Sequence, residues 1–206
     1  MHPQFIMTIQ NDGDVATAIE KTPAKIGFTS AHSNISRIPY FLDYPFTKSN
    51  FTFDEHLTAA KRLKPKIVVA PDVEKGLSLD DAIHQADLLS DHSETVIMVP
   101  KSVHPTDIPN RFRVGLTMAN FGSSSPWLLW DYKECKSIHI LGGSPARQLI
   151  AFDYGLRIDS LDSFGLGIEA MFGIWDNKST DAPDDWDYQK RLIQSINNFC
   201  RVVQDL

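Results

Sequence analysis

The sequence predicts an α/β protein whose framework is a compact, incomplete TIM-like (β/α) barrel, and three observations predict it. Short apolar strands alternate with segments of helical spacing. The strands read as continuous apolar runs, as expected of a parallel sheet covered on both faces. Polar residues and glycines then collect at the strands' carboxyl ends, with Asp43, Asp72, Lys101, Thr117, the pair Gly142 and Gly143, and Asp162 closing one strand each. That rim is where barrels of this kind build their sites, so it favours the barrel over an open doubly wound sheet. At 206 residues the chain is short for eight full units, so some helices are expected to be missing or reduced.

The elements follow in order within a single domain spanning 1–206. Residues 1–23 read as an N-terminal extension. Seven strand candidates come next: 24–30, 38–43, 65–72, 94–101, 111–117, 137–143 and 155–162, each rich in Ile, Val or Phe and bounded by Gly, Pro or Asp. Phe53, Leu57, Ala60 and Leu63 recur at helical spacing, as do Leu79, Ala82, Ile83, Ala86 and Leu89. Ser78 with Asp81 reads as a helix start. The segment 118–136, with Trp127 and Trp130, reads as a loop in place of a helix. Leu192, Ile196, Phe199 and Val203 form the apolar stripe of a packing helix within 184–206.

Composition narrows the function classes. With 42% hydrophobic and 22% charged residues the chain is an ordinary globular one, and no apolar run approaches the roughly 20 residues of a membrane span. The N-terminus lacks the basic-then-apolar order of a signal peptide, so a cytoplasmic location is expected. Cys135 and Cys200 are the two cysteines, without zinc spacing; neither a disulfide framework nor a structural zinc is expected. A net charge of −6 argues against wholesale coating of nucleic acid and leaves room for a local basic footprint.

Two constellations carry chemistry. Asp43 in "FLDYPF", Asp72 in "APDVE" and Asp162 in "SLDSF" would face one cavity of a barrel, and like charges held close poise at least one carboxyl for proton transfer. Such acids suit acid/base or nucleophilic work at an acetal-type carbon, including an N-glycosidic one. Each taken singly is also an ordinary helix cap, and the three together would also suit a divalent metal, a lesser expectation because no histidine accompanies them at a strand end. In "HILGGSPARQL", Gly142 and Gly143 let backbone approach a ligand, and Ser144 caps a helix opening at Pro145 whose free N–H groups suit a phosphate. A tight strand-to-helix turn explains the same residues. His139 reads as a satisfied core residue, and Asp159, at odd separation from Asp162, points to the opposite face.

Together "KIGFTSAHSN", "YFLDYPF", "HLTAAKRLKPKIVVAPDVE", "VIMVPK", "HILGGSPARQL" and "SLDSFGLGIEAMFG" resemble the short DNA 7-deazaguanine transglycosylases of phages and archaeal viruses, the DpdA group, over about residues 24 to 175. Those enzymes are related to the tRNA-guanine transglycosylases. The resemblance implies exchange of guanine in DNA for a preQ0-like 7-deazaguanine base through a covalent aspartyl–deoxyribose intermediate, with no cofactor. It implies Asp162 as nucleophile, Asp43 beside the reacting sugar, Asp72 on the base edge, Gly142 and Gly143 near the substrate, and Lys101 and Gly115 on strands lining the cavity. The zinc-binding subdomain of the tRNA enzymes has no counterpart here, which favours DNA, within host-cell cytoplasm if the chain is viral. A flipped-out base would stack on an aromatic wall drawn from Phe41, Tyr44, Phe46, Phe121 and Trp127. Lys101, His104, Arg111, Arg113, Lys133 and Arg147 are the expected phosphate contacts, and a homodimer is one admissible assembly. Two rivals remain open: an N-glycosidase or nucleoside hydrolase using the same acids, and a non-catalytic nucleotide-binding barrel.

Overall fold

The computed structural model describes residues 2–10, 13–32, 35–46, 48, 50–74, 76–118 and 126–206. Its centre is a closed barrel of parallel strands in chain order: β1 (Gln4–Ile9), β2 (Lys25–Thr29), β3 (Phe41–Asp43), β4 (Ile67–Val69), β5 (Thr95–Met98), β6 (Arg113–Thr117), β7 (Ile138–Leu141) and β8 (Ile158–Asp162). All seven expected strands are present, so the fold is the TIM-like α/β barrel that the sequence predicts. The expectation for residues 1–23 is corrected. They are not an extension, because Gln4–Ile9 pairs with β2 on one side and β8 on the other and closes the sheet. Without it both edges would carry unpaired backbone groups.

What is incomplete is the outer layer. Six α-helices are described: α1 (Asp14–Ile19), α2 (Phe53–Leu63), α3 (Leu79–Ser90), α4 (Pro145–Asp153), α5 (Gly165–Phe172) and α6 (Tyr188–Asp205). Among the described residues, the β5–β6 and β6–β7 crossovers hold only the 3-10 turns Pro105–Asp107 and Leu129–Tyr132, and the β2–β3 crossover holds no helix. The segment 118–136 is therefore a loop where it is described, as expected. A small antiparallel pair, β9 (Ile174–Trp175) and β10 (Ser179–Thr180), follows α5.

Strand alternation divides the core in two. Outward residues such as Phe5, Phe28, Val68, Leu116 and Leu161 pack beneath the helices. Inward residues Ile6, Phe41, Ile67, Val69, Ile97, Val99 and Leu141 form a separate cluster within the barrel. Helix starts follow local chemistry: Thr52 and Glu55 form a reciprocal capping box for α2, while Ser78, Ser144 and Asp187 cap α3, α4 and α6. On α6, Phe199 meets Phe5 and Trp175 edge to face, seating the last helix against the first strand.

Candidate active site

The parity of β8 sends Ser160 and Asp162 inward and Leu161 outward. Asp162, 6% exposed, ends the strand at the carboxyl rim. Its Oδ2 accepts from the Thr8 hydroxyl of β1 at 2.8 Å, and its Oδ1 lies 3.2 Å from His139 Nε2 of β7. Gly142 N–H points at the same residue, 3.1 Å from its carbonyl and 3.4 Å from Oδ1. From α4, the buried Gln148 donates to the carbonyls of Asp162 and Gly142 at 2.7 and 2.9 Å, clamping the ends of β7 and β8 together. The acid is thus held by neighbours on both sides.

Beside it opens a cavity of about 480 Å³, lined by Thr8, Thr29, Gly142, Gly143, Ser144, Asp162, Phe164 and Gly165 among others. Gly143 has φ +88°, and a Cβ there would stand 2.8 Å from the Met118 carbonyl, so only glycine fits this wall. Ser144 accepts from Arg147 N–H and starts α4, as expected. Ser163 donates to the Gly143 carbonyl at 2.7 Å and accepts from Gly165 N–H at 2.8 Å, fixing the loop that leads into α5.

Asp43 and Asp72 occupy the adjoining arc of the same rim, at the ends of β3 and β4. The structure brings the three acids into one electrostatic neighbourhood. Burial pushes Asp43 well above the ordinary carboxyl range, the Asp162 charge adds to this, a Tyr44 backbone N–H opposes it, and Asp72 contributes further. Asp72 is pushed up to about 7 by burial, against the pull of Lys101 and with help from Glu74. Lys101 is itself lowered by burial, with Asp72 and Glu74 opposing. Asp43 Oδ1 and Asp72 Oδ1 are buried without a hydrogen-bond partner among the described residues. An orphaned acceptor at a cavity rim is what a carboxyl awaiting a ligand or a proton looks like.

Several expectations are corrected. Among the described lining residues the cavity includes Asp162, Gly142, Gly143 and Ser144 but not Asp43, Asp72 or Lys101. Gly115 does not line it; it lies inside the barrel, where a Cβ would stand 2.7 Å from Val99 and 2.8 Å from Leu141, so its role is packing. Phe41 is no base-stacking wall, because it is fully buried and stacked on His139. Phe121 falls outside the described residues. Arg111 pairs with Asp87 through two contacts of 3.0–3.1 Å, and Arg113 points into the barrel from the amino end of β6, so neither reaches the rim. Among the described residues no three His, Cys, Asp or Glu side chains gather at metal-binding spacing.

His139 is the satisfied core residue that the sequence predicts, fully buried, and the partner that satisfies its Nε2 is Asp162. This pairing was visible by parity: consecutive barrel strands are neighbours, and His139, Ser160 and Asp162 all sit at inward positions of β7 and β8. Thr8 lay in the segment read as an extension, so nothing pointed to it. Among the described residues no helix is long and apolar enough to cross a membrane. Residues 25–204 match the family described as a family of unknown function (DUF6610), and the chain belongs to it. No curated protein matches the chain significantly.

Proposed function

We propose that the chain is a DNA-guanine transglycosylase, replacing guanine by a 7-deazaguanine base through an aspartyl–deoxyribose intermediate. One observation supports this most: two rim carboxyls stand in opposed environments. Asp162 is met by the hydrogen bonds of Thr8 and His139, while Asp43, lacking a partner at its buried Oδ1, is held toward its protonated form chiefly by burial and further by the charge of Asp162. A carboxyl held toward its protonated form suits proton transfer, and a neighbouring carboxyl fixed by hydrogen bonds suits attack at carbon.

In this reading Asp162 attacks C1′ of a nucleotide lifted into the cavity, forming an ester as the glycosidic bond breaks. The electron pair of that bond leaves with the guanine, which takes the proton of Asp43. The incoming 7-deazaguanine returns a proton to Asp43 and attacks C1′, and Asp162 departs as the carboxylate. The wall at Gly142 and Gly143 admits a flat ring because it carries no side chain. Asp72 and Lys101, on the neighbouring arc, supply an acceptor or donor for the base edge.

Trapping tests the reading. Wild-type protein with an oligonucleotide and no competent incoming base is expected to accumulate a DNA adduct on a denaturing gel, and labelled 7-deazaguanine is expected to enter DNA when supplied. Asp162→Asn, folded by circular dichroism, is expected to form no adduct. An adduct on the asparagine variant removes Asp162 as nucleophile. Release of guanine without incorporation of the label replaces the transglycosylase by a hydrolase.

A further inference from the structure

We infer that His139 is a positioning residue for Asp162, locked as its Nε2–H tautomer by a hydrogen-bond chain whose direction Arg113 sets from the far end of the barrel. The inference rests on the reading of Asp162 as the reacting carboxylate. A guanidinium has only donors. Arg113 Nη1 lies 2.6 Å from Ser160 Oγ and its Nε 3.0 Å from Ser137 Oγ, with Asp159 3.9 Å away to balance its charge. Ser160 therefore accepts from Arg113, and its single proton goes to its other neighbour, His139 Nδ1, at 2.7 Å. Because Nδ1 accepts, the proton of a neutral ring sits on Nε2 and is directed at Asp162 Oδ1.

The surroundings keep the ring neutral and still. His139 is fully buried, which lowers its pKa against the opposing pull of Asp162. Its face lies on Phe41, ring centres 5.2 Å apart and 19° from parallel, so the imidazole has no room to turn over. With Thr8 holding Oδ2 from β1 and His139 holding Oδ1 from β7, the carboxylate is fixed from two sides in one orientation. This orients the attacking oxygen, a contribution that vanishes if the ring adopts the other tautomer.

Two measurements decide it. In ¹⁵N–¹H long-range spectra of the free protein, His139 is expected to show a protonated Nε2 and a bare Nδ1, unchanged between about pH 5.5 and 8, where a free histidine would titrate. Arg113→Met, which frees Ser160 to turn, is expected to give a mixture of tautomers. In the adduct assay, His139→Leu is expected to slow adduct formation about 100-fold at unchanged DNA affinity, and His139→Gln, whose amide N–H takes the place of Nε2–H, to recover to within about 10-fold of wild type. A protonated Nδ1 in the wild type overturns the chain. Equal rates for the leucine and glutamine variants overturn the positioning role. A wild type that forms no adduct sinks the transglycosylase reading instead, and the spectra alone then decide the tautomer.

Discussion

At Asp72 burial opposes the charge more than Lys101 supports it, and the carboxyl is pushed up to about 7. In the unfolded chain the same group ionises near its ordinary value of about 3.9. Between those two values the folded form keeps a proton that the unfolded form has lost, so this group's contribution to stability falls as pH rises from about 4 to about 7 and is level on either side. Asp72→Asn is therefore expected to be more stable than wild type at pH 8 by on the order of 2–4 kcal/mol, the gain disappearing below about pH 4. Urea denaturation at the two pH values measures it, and an asparagine variant less stable at pH 8 would mean that Lys101 outweighs burial. Asp43 shifts in the same direction, chiefly through burial. Gly27 carries a second consequence at this scale. A Cβ there would meet Phe41 at 2.8 Å and the Thr8 hydroxyl oxygen at 3.0 Å, so Gly27→Ala pushes on the residue that holds Asp162. The expected cost is about 1–3 kcal/mol, the usual range for overpacking, read as a lower urea midpoint, with slower adduct formation accompanying it.

Helix α2 shows how an outer element steadies the rim. Its His56 is fully buried and lowered to about 4 by burial, so it is neutral at physiological pH. Nε2–H donates to the Val69 carbonyl at 2.8 Å, which leaves Nδ1 to accept from the Ser30 hydroxyl, also at 2.8 Å. Ser30 N–H in turn donates to the Asp43 carbonyl, so one helical side chain ties together the ends of β2, β3 and β4. Thr52 starts this helix, and Thr52→Ala is expected to cost about 1 kcal/mol in chemical denaturation, with no loss if the cap is dispensable. Elements of this kind were legible because their signals are local: a capping residue, a 3.6-residue stripe, or an apolar run closed by Gly, Pro or Asp. The strand β1 carries the same local signals, four large apolar residues in "QFIMTI" between Pro3 and the Asn11–Asp12–Gly13 stretch, and was read as an extension all the same. What no local signal gives is its place, because its burial depends on β8, more than 150 residues away. The site divides in the same way. Asp43, Asp72, Asp162 and the Gly142–Ser144 turn announce themselves by strand-end position, whereas Thr8, His139 and Gln148 become partners of Asp162 only once the barrel closes.

The barrel as a whole is uneven across its interior. On the β3–β5 side Phe41, Ile67, Val69, Ile97 and Val99 fill it with apolar bulk; on the other side Thr8, Arg113, His139, Ser160 and Asp162 form a polar seam. That seam is anchored at the joint between first strand and last, so closure of the sheet and assembly of the site are one event. Phe5, Ile6, Met7 and Ile9 of β1 are each at most 3% exposed. At about 1.5–3 kcal/mol for a large apolar side chain fully buried, the four together supply roughly 6–12 kcal/mol. Domains of this kind have a total stability of about 5–15 kcal/mol. Removing residues 1–12 is therefore expected to abolish cooperative unfolding, because β2 and β8 lose their shared partner, Phe199 loses Phe5, and Asp162 loses Thr8 in the same step. Circular dichroism melts and amide exchange on the truncated chain measure this. A truncated protein that melts with the wild-type midpoint would show that β8 can close the sheet without β1, and the seam holding Asp162 would then owe nothing to the first strand.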